Sequence, residues 1–497
     1  MFAYIVVPIV ILLFIVAFVL VCHFRCRKRV TTPKKFEEGN PSKINATMKF
    51  EEQLDLLPYN EHYEFPPKKL ILGQRLGKGT FGIVVEAMAK DIVTHEKESK
   101  VIVKMINGVH NKELFKIASR ELKIMVHLAK HLNLVNLLGA VTKKLSKRKL
   151  MVIVEYCRFG DLRTFLMKHR TQFIDQIVCG EDVIDPTITT KFTMQQRNHS
   201  YSHFNRCEED ENSIASNNSD DSNPNRGGTI DSRTTLCPNN SNSNGSSNNS
   251  EQLFTFTTTN LLCWSFQIAR GMQHLALQKI LHGHLSAKNV LLCDNNVVKI
   301  GNFGSVRSIY EIGKYLENRL IMAQESPMPF KWLSPETIEK SIFSTPSDVW
   351  SFGVVLWELF SLGTLPYMGV DDHHDLHRKL VNGYRLEKPH HSTTTIYNIM
   401  LSCWRMNAEL RPTFNDLEDK IYRLLERNVA NQYIDLNEPY LKANMNPLHS
   451  GQKEYLKLLD MKLSSSGYVQ INGTKGTSSG YVDMKPITTN NAQDSIV

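Results

Sequence analysis

Two short polar stretches of the chain carry the side chains best suited to chemistry. The first spans residues 282–289 and the second spans residues 302–304. The imidazole of His284 can accept a proton, because the unperturbed pKa of histidine is about 6.5. The side-chain oxygens of Asn289 and Asn302 are neutral, whereas a hard dication prefers carboxylates. The two stretches therefore offer a proton acceptor and two weak metal ligands, but no carboxylate.

A glycine-rich segment further upstream has the composition of a phosphate-binding loop. Residues 77–84 read GKGTFGIV between two apolar runs, which predicts a strand, a loop and a second strand. Glycine lets backbone N–H groups approach an anion closely. A glycine-rich hairpin or a dinucleotide site would give the same letters, but a dinucleotide site needs a helix directly after the loop. Residues 83–85 instead continue as a strand, which favours a loop that covers phosphates.

In this order and spacing the motifs resemble those of the protein-kinase family. Residues 282–289, HGHLSAKN, have the layout of H-R-D-L-x-x-x-N, and residues 302–304 have that of D-F-G. Residues 329–336, PFKWLSPE, resemble the A-P-E segment in its tyrosine-kinase form. The resemblance covers about residues 64–427. The chain is similar to split receptor kinases of the platelet-derived and vascular-endothelial growth-factor type, and most of all to the short receptor-like tyrosine kinases of nematodes.

The resemblance implies an α+β, bilobal protein-kinase fold that binds ATP between its two lobes. The nucleotide-binding residues that it implies are Gly77, Lys78, Gly79, Gly82, Val84, Lys104, Glu155 and Cys157. The ion pairs that it implies are Lys104 with Glu121 and Glu336 with Arg411. Asp348 would brace the catalytic loop from a buried helix.

Three substitutions set the chain apart from an active kinase. His284 stands at the position of the catalytic aspartate, Asn302 at that of the metal-binding aspartate, and Gly283 at that of an arginine. Asn289 is retained as a weak ligand for Mg²⁺. Losing a positioned base costs a factor of about 10²–10⁴ in rate. We therefore expect a pseudokinase that binds ATP weakly and gains little from Mg²⁺.

Two other interpretations stay open at the level of the sequence. The chain would be an active tyrosine kinase if a displaced carboxylate, from Glu311 or Glu317, reached the site. It would be a membrane-tethered docking scaffold if the fold served as a rigid surface without binding nucleotide. Nucleotide binding separates the scaffold from a pseudokinase, and phosphorylation of tyrosine separates an active kinase from both.

A membrane anchor is predicted at the N-terminus. Residues 2–22 are apolar and uncharged, and a helix of this length crosses a hydrocarbon core of about 30 Å. A cleaved signal peptide is the alternative, but the stretch lacks a basic n-region and an A-x-A-like cleavage site. Basic residues follow the apolar run, so the positive-inside rule puts the rest of the chain in the cytoplasm. We expect residues 1–23 to form a single transmembrane helix in the plasma membrane.

The net charge of +9 is partly local to this region. Four basic residues lie within residues 25–29, beside the apolar run, which favours lipid headgroups as their partner and not nucleic acid. The nine cysteines are scattered without C-x-x-C spacing, which favours a reduced compartment. Cys22 and Cys26 lie close enough to the membrane to be candidates for palmitoylation.

The remaining segments differ in composition. A polar juxtamembrane segment covers residues 24–63, the kinase-like domain covers residues 64–427, and a flexible tail covers residues 428–497. Within the domain, an insert at about residues 171–256 contains the Asn- and Ser-rich residues 212–250. Such a composition cannot bury enough apolar surface to order the backbone. We expect the insert to be disordered, and to be either a spacer or a docking platform.

Several tyrosines are candidate phosphorylation sites. They are Tyr59 and Tyr63 before the domain, Tyr310 and Tyr315 in the loop after Asn302, and Tyr468 and Tyr481 in the tail. The two tail tyrosines lie in a small repeat, SSGYVQI and SSGYVDM. Phosphate on them would fit the arginine pockets of Src-homology-2 domains. The expected partners are those proteins, together with an active receptor kinase or a second copy of this chain. The alternatives are ordinary surface tyrosines before the domain and idle tyrosines in the tail.

Overall fold

The computed structural model describes ten stretches of the chain. They are residues 36, 38–43, 50–79, 82–93, 96–107, 112–143, 145–178, 180–189, 255–303 and 330–445. The predicted membrane anchor, the Asn- and Ser-rich part of the insert, and Tyr310, Tyr315, Tyr468 and Tyr481 lie outside them. Within these stretches, no helix has the length and apolar character needed to span a membrane.

The described strands lie mainly in the first part of the chain and the described helices mainly in the second. The strands are β1 (Leu70–Gly79), β2 (Gly82–Lys90), β3 (Glu98–Asn107), β4 (Leu137–Val141), β5 (Lys149–Glu155), β6 (Phe173–Ile174), β7 (Phe256–Thr257), β8 (Val290–Leu292) and β9 (Val298–Ile300). The helices are α1 (Lys112–His127), α2 (Leu162–Lys168), α3 (Thr258–Leu277), α4 (Pro335–Lys340), α5 (Thr345–Phe360), α6 (His373–Val381), α7 (Thr394–Cys403), α8 (Phe414–Tyr422), α9 (Arg427–Asp435) and α10 (Glu438–Met445).

An antiparallel sheet of five strands forms the smaller lobe, in the order β1-β2-β3-β5-β4. Successive side chains of a strand point to opposite faces, and one face of this sheet buries Val85, Val101 and Val103. Phe65, from the segment before β1, packs against them. The alternation places Lys104 on the other face of β3, towards α1.

The larger lobe is built around α3 and α5, which are buried on nearly all sides. Their tryptophans, Trp264 and Trp350, are fully buried. Each helix begins with a capping box, at Thr257 and at Ser344, that binds N–H groups left free in the first helical turn. The sheet-containing lobe and this helical lobe together confirm the predicted bilobal fold.

The insert leaves and re-enters the larger lobe at one place. Strands β6 and β7 pair in parallel, so the two ends of the insert lie side by side. Just beyond β6, Gln176 accepts hydrogen bonds from the backbone N–H and the hydroxyl of Thr259, at 2.8 and 2.7 Å. The insert separates two helices of the larger lobe, α2 and α3. The region expected to be disordered therefore includes folded residues at both ends, because polar side chains anchor them to α3.

Residues 50–63, the described end of the juxtamembrane segment, pack against α1. Leu57, Tyr59 and Tyr63 are buried there. The ammonium group of Lys123 donates to the carbonyl oxygen of Leu57 at 2.7 Å. Burial raises the pKa of Tyr63 to about 12 and lowers the pKa of Lys123 to about 8. Tyr59 and Tyr63 are thus not ordinary surface residues, and the nearly two negative charges of a phosphate would not fit while the segment is docked.

Helices α9 and α10 fold back onto the domain. Asn437, between them, accepts a hydrogen bond from the N–H of Leu132 at 2.8 Å. Asn444 accepts from the N–H of Lys130 and donates to its carbonyl oxygen, both at 2.8 Å. The sequence places the start of a flexible tail at residue 428, whereas residues 428–445 are helical or closely anchored. The polar composition of these residues does not reveal that they are anchored, because asparagine side chains make the anchoring contacts.

Tyr440 of α10 reaches the connection between the two lobes. Its hydroxyl accepts a hydrogen bond from Lys299 at 3.1 Å and donates to Glu155 at 3.4 Å. The ammonium group of Lys299 also lies 4.8 Å from the centroid of the Tyr440 ring, where a cation is attracted by the ring face. Because Glu155 ends β5, this contact ties α10 to the segment that joins the lobes.

We predict that Tyr440→Phe destabilises the domain. The change takes one hydrogen-bond partner from the buried ammonium of Lys299, so the free energy of unfolding should fall by about 1–3 kcal/mol. Urea unfolding of a fragment covering residues 36–445 measures it. Tyr422→Phe is the matched control, because the Tyr422 hydroxyl makes an exposed contact of 3.5 Å with Asn431. Equal losses in both variants would contradict the prediction.

Candidate nucleotide-binding and catalytic site

The predicted phosphate loop is the turn of the β1–β2 hairpin. The loop residues that the sequence indicates all lie on this hairpin: Gly77, Lys78, Gly79, Gly82 and Val84. Gly79 pairs with Gly82 across the turn, and residues 80 and 81 are not among those described. A Cβ at position 82 would collide with the carbonyl oxygen of Met105 on β3, so glycine is required there.

Lys104 lies on the central strand β3, directly opposite Val84 on β2. Its ammonium nitrogen is 3.0 Å from Oε1 of Glu121, a buried residue of α1. The structure thus brings together the two residues that the resemblance pairs. It ties α1 to the sheet and holds the charge of Lys104 beneath the glycine hairpin.

Asn302 joins the two lobes of the site through its side chain. Its Oδ1 accepts a hydrogen bond from the ammonium of Lys104 at 2.9 Å, and its Nδ2 donates to Oδ1 of Asn289 at 3.0 Å. Asn289 in turn donates from Nδ2 to the carbonyl oxygen of His284 at 2.7 Å. The backbone of Asn302 is left-handed, with φ at 58°, a conformation that asparagine tolerates better than most residues. The structure therefore brings together the three predicted catalytic residues.

His284 is half-buried in the loop between α3 and β8. Burial, and then the positive charge of Lys288, lower its pKa to about 4. The ring is consequently neutral at physiological pH. As a proton acceptor it is therefore weaker than a free histidine.

The backbone of this loop is held by Asp348 of α5. The two carboxylate oxygens of Asp348 accept hydrogen bonds from the N–H groups of His282 and Gly283, both at 2.8 Å. This is the bracing role that the resemblance implies for Asp348. The φ of Gly283 is 74°, so a side chain at this position would strain the backbone. Burial lowers the pKa of His282 to about 3, and its Nε2 bonds to the carbonyl oxygen of Gly301 at 3.1 Å.

A second carboxylate of α5 also holds the loop, and the sequence reasoning missed it. Glu358 accepts hydrogen bonds from the N–H of Ala287 and from the indole N–H of Trp332, both at 2.8 Å. Burial raises its pKa to about 7. A glutamate within the apolar run VVLWELF is the signal that could have identified it, because such a group needs partners.

The side chains of Glu155 and Cys157, two of the predicted nucleotide-binding residues, make contacts within the protein. The carboxylate of Glu155 lies 3.0 Å from the ammonium of Lys299 and accepts from the N–H of Asn136 at 2.9 Å. A hydrogen bond with the free thiol of Cys293, followed by burial, raises the pKa of Cys157. Contacts of these two residues with a nucleotide would therefore be made by their backbone atoms.

Lys299 is the other residue of the site that the sequence reasoning missed. It lies in the middle of the buried strand β9. Burial alone would lower its pKa, but the charge of Glu155 and then that of Tyr440 raise it, so the side chain stays positively charged. A lysine within the apolar run VVKI must find an anion inside the protein, and this was the available signal.

The second predicted ion pair lies in the larger lobe. Arg411 forms two parallel bonds to Glu336, with Nη1–Oε1 at 2.6 Å and Nη2–Oε2 at 2.9 Å. Two parallel N–H···O bonds make this geometry more specific than a single contact. The pair fixes α4, which follows the PFKW segment, to the start of α8.

Comparison with known proteins agrees with this geometry. The model of the family described as protein tyrosine and serine/threonine kinase matches residues 70–421. Vascular endothelial growth factor receptor 2 of Coturnix japonica is 38% identical over 382 residues, which is 76% of this chain and 26% of the relative. Platelet-derived growth factor receptor alpha of Takifugu rubripes is 34% identical over 405 residues, 78% of this chain and 37% of the relative.

The chain thus spans 26% and 37% of the length of these two curated relatives. The matched residues include the glycine hairpin, Lys104, Glu121, the loop at residues 282–289 and the Glu336–Arg411 pair. The chain belongs to the protein tyrosine and serine/threonine kinase family, with a tyrosine-kinase domain related to those of the vascular endothelial and platelet-derived growth factor receptors.

Proposed function

We propose that this chain is a pseudokinase of the receptor tyrosine kinase type, which binds nucleotide weakly and transfers phosphate poorly. The observation that carries the proposal is the position of Asn302. Its neutral amide stands where a metal-binding carboxylate is expected, and it is bonded both to Lys104 and to Asn289. The residues that position the phosphates of a nucleotide are present in the candidate site. The carboxylate that would supply negative charge to a metal ion is replaced by the neutral amide of Asn302.

The amides at the site do not fit Mg²⁺ well. Oδ1 of Asn302 already accepts from a positively charged group, and Oδ1 of Asn289 accepts from the amide of Asn302. A cation at either oxygen would compete with these donors and would lie close to the charge of Lys104. Protein sites for Mg²⁺ usually provide one or two carboxylates. We therefore expect nucleotide binding to depend little on Mg²⁺.

The same site suits a polyphosphate without its metal. Lys104 supplies a positive charge that Glu121 holds in place at 3.0 Å. The glycine hairpin lets backbone N–H groups approach the phosphates. Asn289 and Asn302 carry no charge, so they do not repel an anion that lacks bound Mg²⁺. ATP is therefore the ligand that the retained residues favour.

The site lacks groups that transfer of the phosphate requires. Burial lowers the pKa of His284 to about 4, but the neutral ring can still accept a proton. The substitution of the expected aspartate by histidine changes the charge of the site. It removes a negative charge that would orient and activate a tyrosine hydroxyl, and a positioned base contributes a factor of about 10²–10⁴. Weak metal binding removes further stabilisation of the transferring group.

Two alternatives remain distinguishable by experiment. An active tyrosine kinase would need Glu311 or Glu317, which lie outside the described residues, to reach the site. A scaffold that binds no nucleotide would keep the Lys104–Glu121 pair only because it ties α1 to the sheet. The pair together with the glycine hairpin therefore supports the pseudokinase, and nucleotide binding separates the two.

The proposal also includes the location of the chain and its binding partners. The relatives are named as growth factor receptors, and together with the apolar residues 2–22 this supports a single-pass membrane protein with a cytoplasmic domain. Tyr468 and Tyr481 would dock Src-homology-2 proteins after phosphorylation by an active receptor kinase or within a homo-oligomer. Phosphorylation of Tyr59 or Tyr63 would require residues 50–63 to leave α1.

We predict that ATP stabilises the domain with little dependence on Mg²⁺. Thermal unfolding of residues 36–445 with ATP, in the presence and absence of Mg²⁺, measures this. Lys104→Met should abolish the shift in Tm, because it removes the phosphate-binding charge. Lys100→Met on the same strand is the matched control, since Lys100 pairs at 2.9 Å with Glu86 and not with Glu121. A large shift that appears only with Mg²⁺ would contradict the prediction.

We predict that the domain does not phosphorylate itself or a tyrosine peptide at a measurable rate. The double reversion His284→Asp with Asn302→Asp should raise the rate more than either single change, by a factor of about 10² or more. The two changes depend on each other because a base acts only on a correctly held phosphate. Adding Lys104→Met to the double variant should abolish the gain. Turnover by the unaltered domain, lost on Lys104→Met, would show an active kinase.

We predict that Tyr468 and Tyr481 are phosphorylated by a second kinase. Mass spectrometry of the chain from cells, compared with its Lys104→Met variant, measures the phosphate on each tyrosine. Unchanged phosphate is expected, because the domain's own transfer is too slow to supply it. Disappearance of the phosphate in the variant would mean that this domain modifies its own tail.

A further inference from the structure

A cluster of metal-ligating side chains lies far from the nucleotide site, at the root of the insert. Asp175, His390 and His391 each direct one ligand atom towards the others, and these atoms all lie within 4.8 Å of one another. Within the described ranges this is the one such group of three histidine, cysteine or acidic side chains. We propose that it binds a single Zn²⁺ ion or a closely similar transition-metal ion.

The distance between the two imidazoles suits a tetrahedral ion. Nδ1 of His390 and Nδ1 of His391 are 3.4 Å apart. Two ligands at about 2.1 Å from Zn²⁺, at the tetrahedral angle, are separated by about 3.4 Å. Oδ2 of Asp175 lies 2.6 Å from Nδ1 of His391, so their separation must increase by about 0.8 Å when the ion binds.

The same three atoms can all act as lone-pair donors to a cation. A neutral imidazole carries one N–H and a carboxylate carries none. Without a metal, a hydrogen on Nδ1 of His391 can bond to Asp175 at 2.6 Å, and the exposed His390 leaves its lone pair to water. With that hydrogen on Nε2 of His391 instead, each of the three atoms offers a lone pair to a metal ion.

The carboxylate of Asp175 is oriented by groups around the cluster. Its Oδ1 accepts from the N–H of Ile177 at 3.1 Å and from the hydroxyl of Thr258 at 3.2 Å. Oδ2 is thereby turned towards His391. Such outer contacts are what hold metal-ligating carboxylates and imidazoles in a fixed orientation.

The rings are supported in the same way. The ring of His391 packs edge-on against Phe173 of β6, with centroids 4.9 Å apart. His391 immediately precedes Ser392 and the N-cap Thr393 of α7, which are both buried. Lys388, the nearest lysine along the chain, pairs with Asp182 at 3.2 Å, which offsets its charge.

The donor set selects the class of metal. Two imidazoles with one carboxylate suit Zn²⁺, Cu²⁺ or Ni²⁺, whereas Ca²⁺ and Mg²⁺ take oxygen ligands. His390 is exposed, so a fourth position is open to water or to a ligand from another molecule. A bound ion would link Asp175, where the insert leaves β6, to the loop before α7. It would thus fasten the root of the insert to the larger lobe.

Zinc binding to the full chain in detergent tests the proposal. Equilibrium dialysis against ZnCl₂ should show one more bound Zn²⁺ per chain for the unaltered protein than for His391→Gln. Asp175→Asn, which keeps the hydrogen bonds from Ile177 and Thr258, should weaken binding at this site at least about ten-fold. Co²⁺ in place of Zn²⁺ should give a tetrahedral visible spectrum that both variants lose.

The matched control is His373→Gln. His373 and His374 are also neighbours, with ring centroids 4.0 Å apart, and Asp372 lies 3.6 Å from His373, but they form no group of three. This variant should bind as much Zn²⁺ as the unaltered chain. The proposal is overturned if His391→Gln and the unaltered chain bind equal amounts, or if the control loses as much as His391→Gln. Circular dichroism on each variant separates loss of the site from loss of the fold.

Discussion

The carboxylate of Asp348 is the constraint on which the candidate site depends. It is buried in α5 and accepts hydrogen bonds from the N–H groups of His282 and Gly283, each at 2.8 Å. A buried carboxylate is costly unless donors surround it, so the helix and the loop must meet in this one arrangement. The bond fixes the backbone that carries His284 and Asn289. Through Asn289 it also fixes the place where Asn302 makes its contact.

The same constraint explains how the fold can persist while its chemistry changes. Asp348 holds the loop through backbone N–H groups, and every residue type except proline supplies one. The side chain at position 284 is therefore free to differ without loosening the loop. Gly283 suits its backbone φ of 74° better than an arginine would. The neutral side chains of the catalytic site thus lie in a loop that is held through its backbone atoms.

The sequence predicted the parts of the site that lie in short motifs. The glycine hairpin, the Lys104–Glu121 pair and the loop at 282–289 each carry their own spacing, and the structure places them where the pattern indicates. Lys299 and Tyr440 meet Glu155 through contacts between distant parts of the chain, so no local spacing marks them. From its composition, each of the juxtamembrane and C-terminal segments is predicted only to be polar. Both are anchored through backbone carbonyl groups and asparagine side chains, and composition does not distinguish such segments from loops.

These two segments act on the same end of α1. Pro58, before the domain, shares a hydrogen bond of 2.8 Å with His127, the last residue of α1. Asn444, after the domain, bonds to Lys130 just beyond it. Glu121 lies on the same helix, so the position of its partner Lys104 depends on contacts made by both segments. Binding equilibria that share one element are coupled reciprocally. Any effect of the release of either segment on nucleotide binding must therefore equal the effect of nucleotide on the docking of that segment.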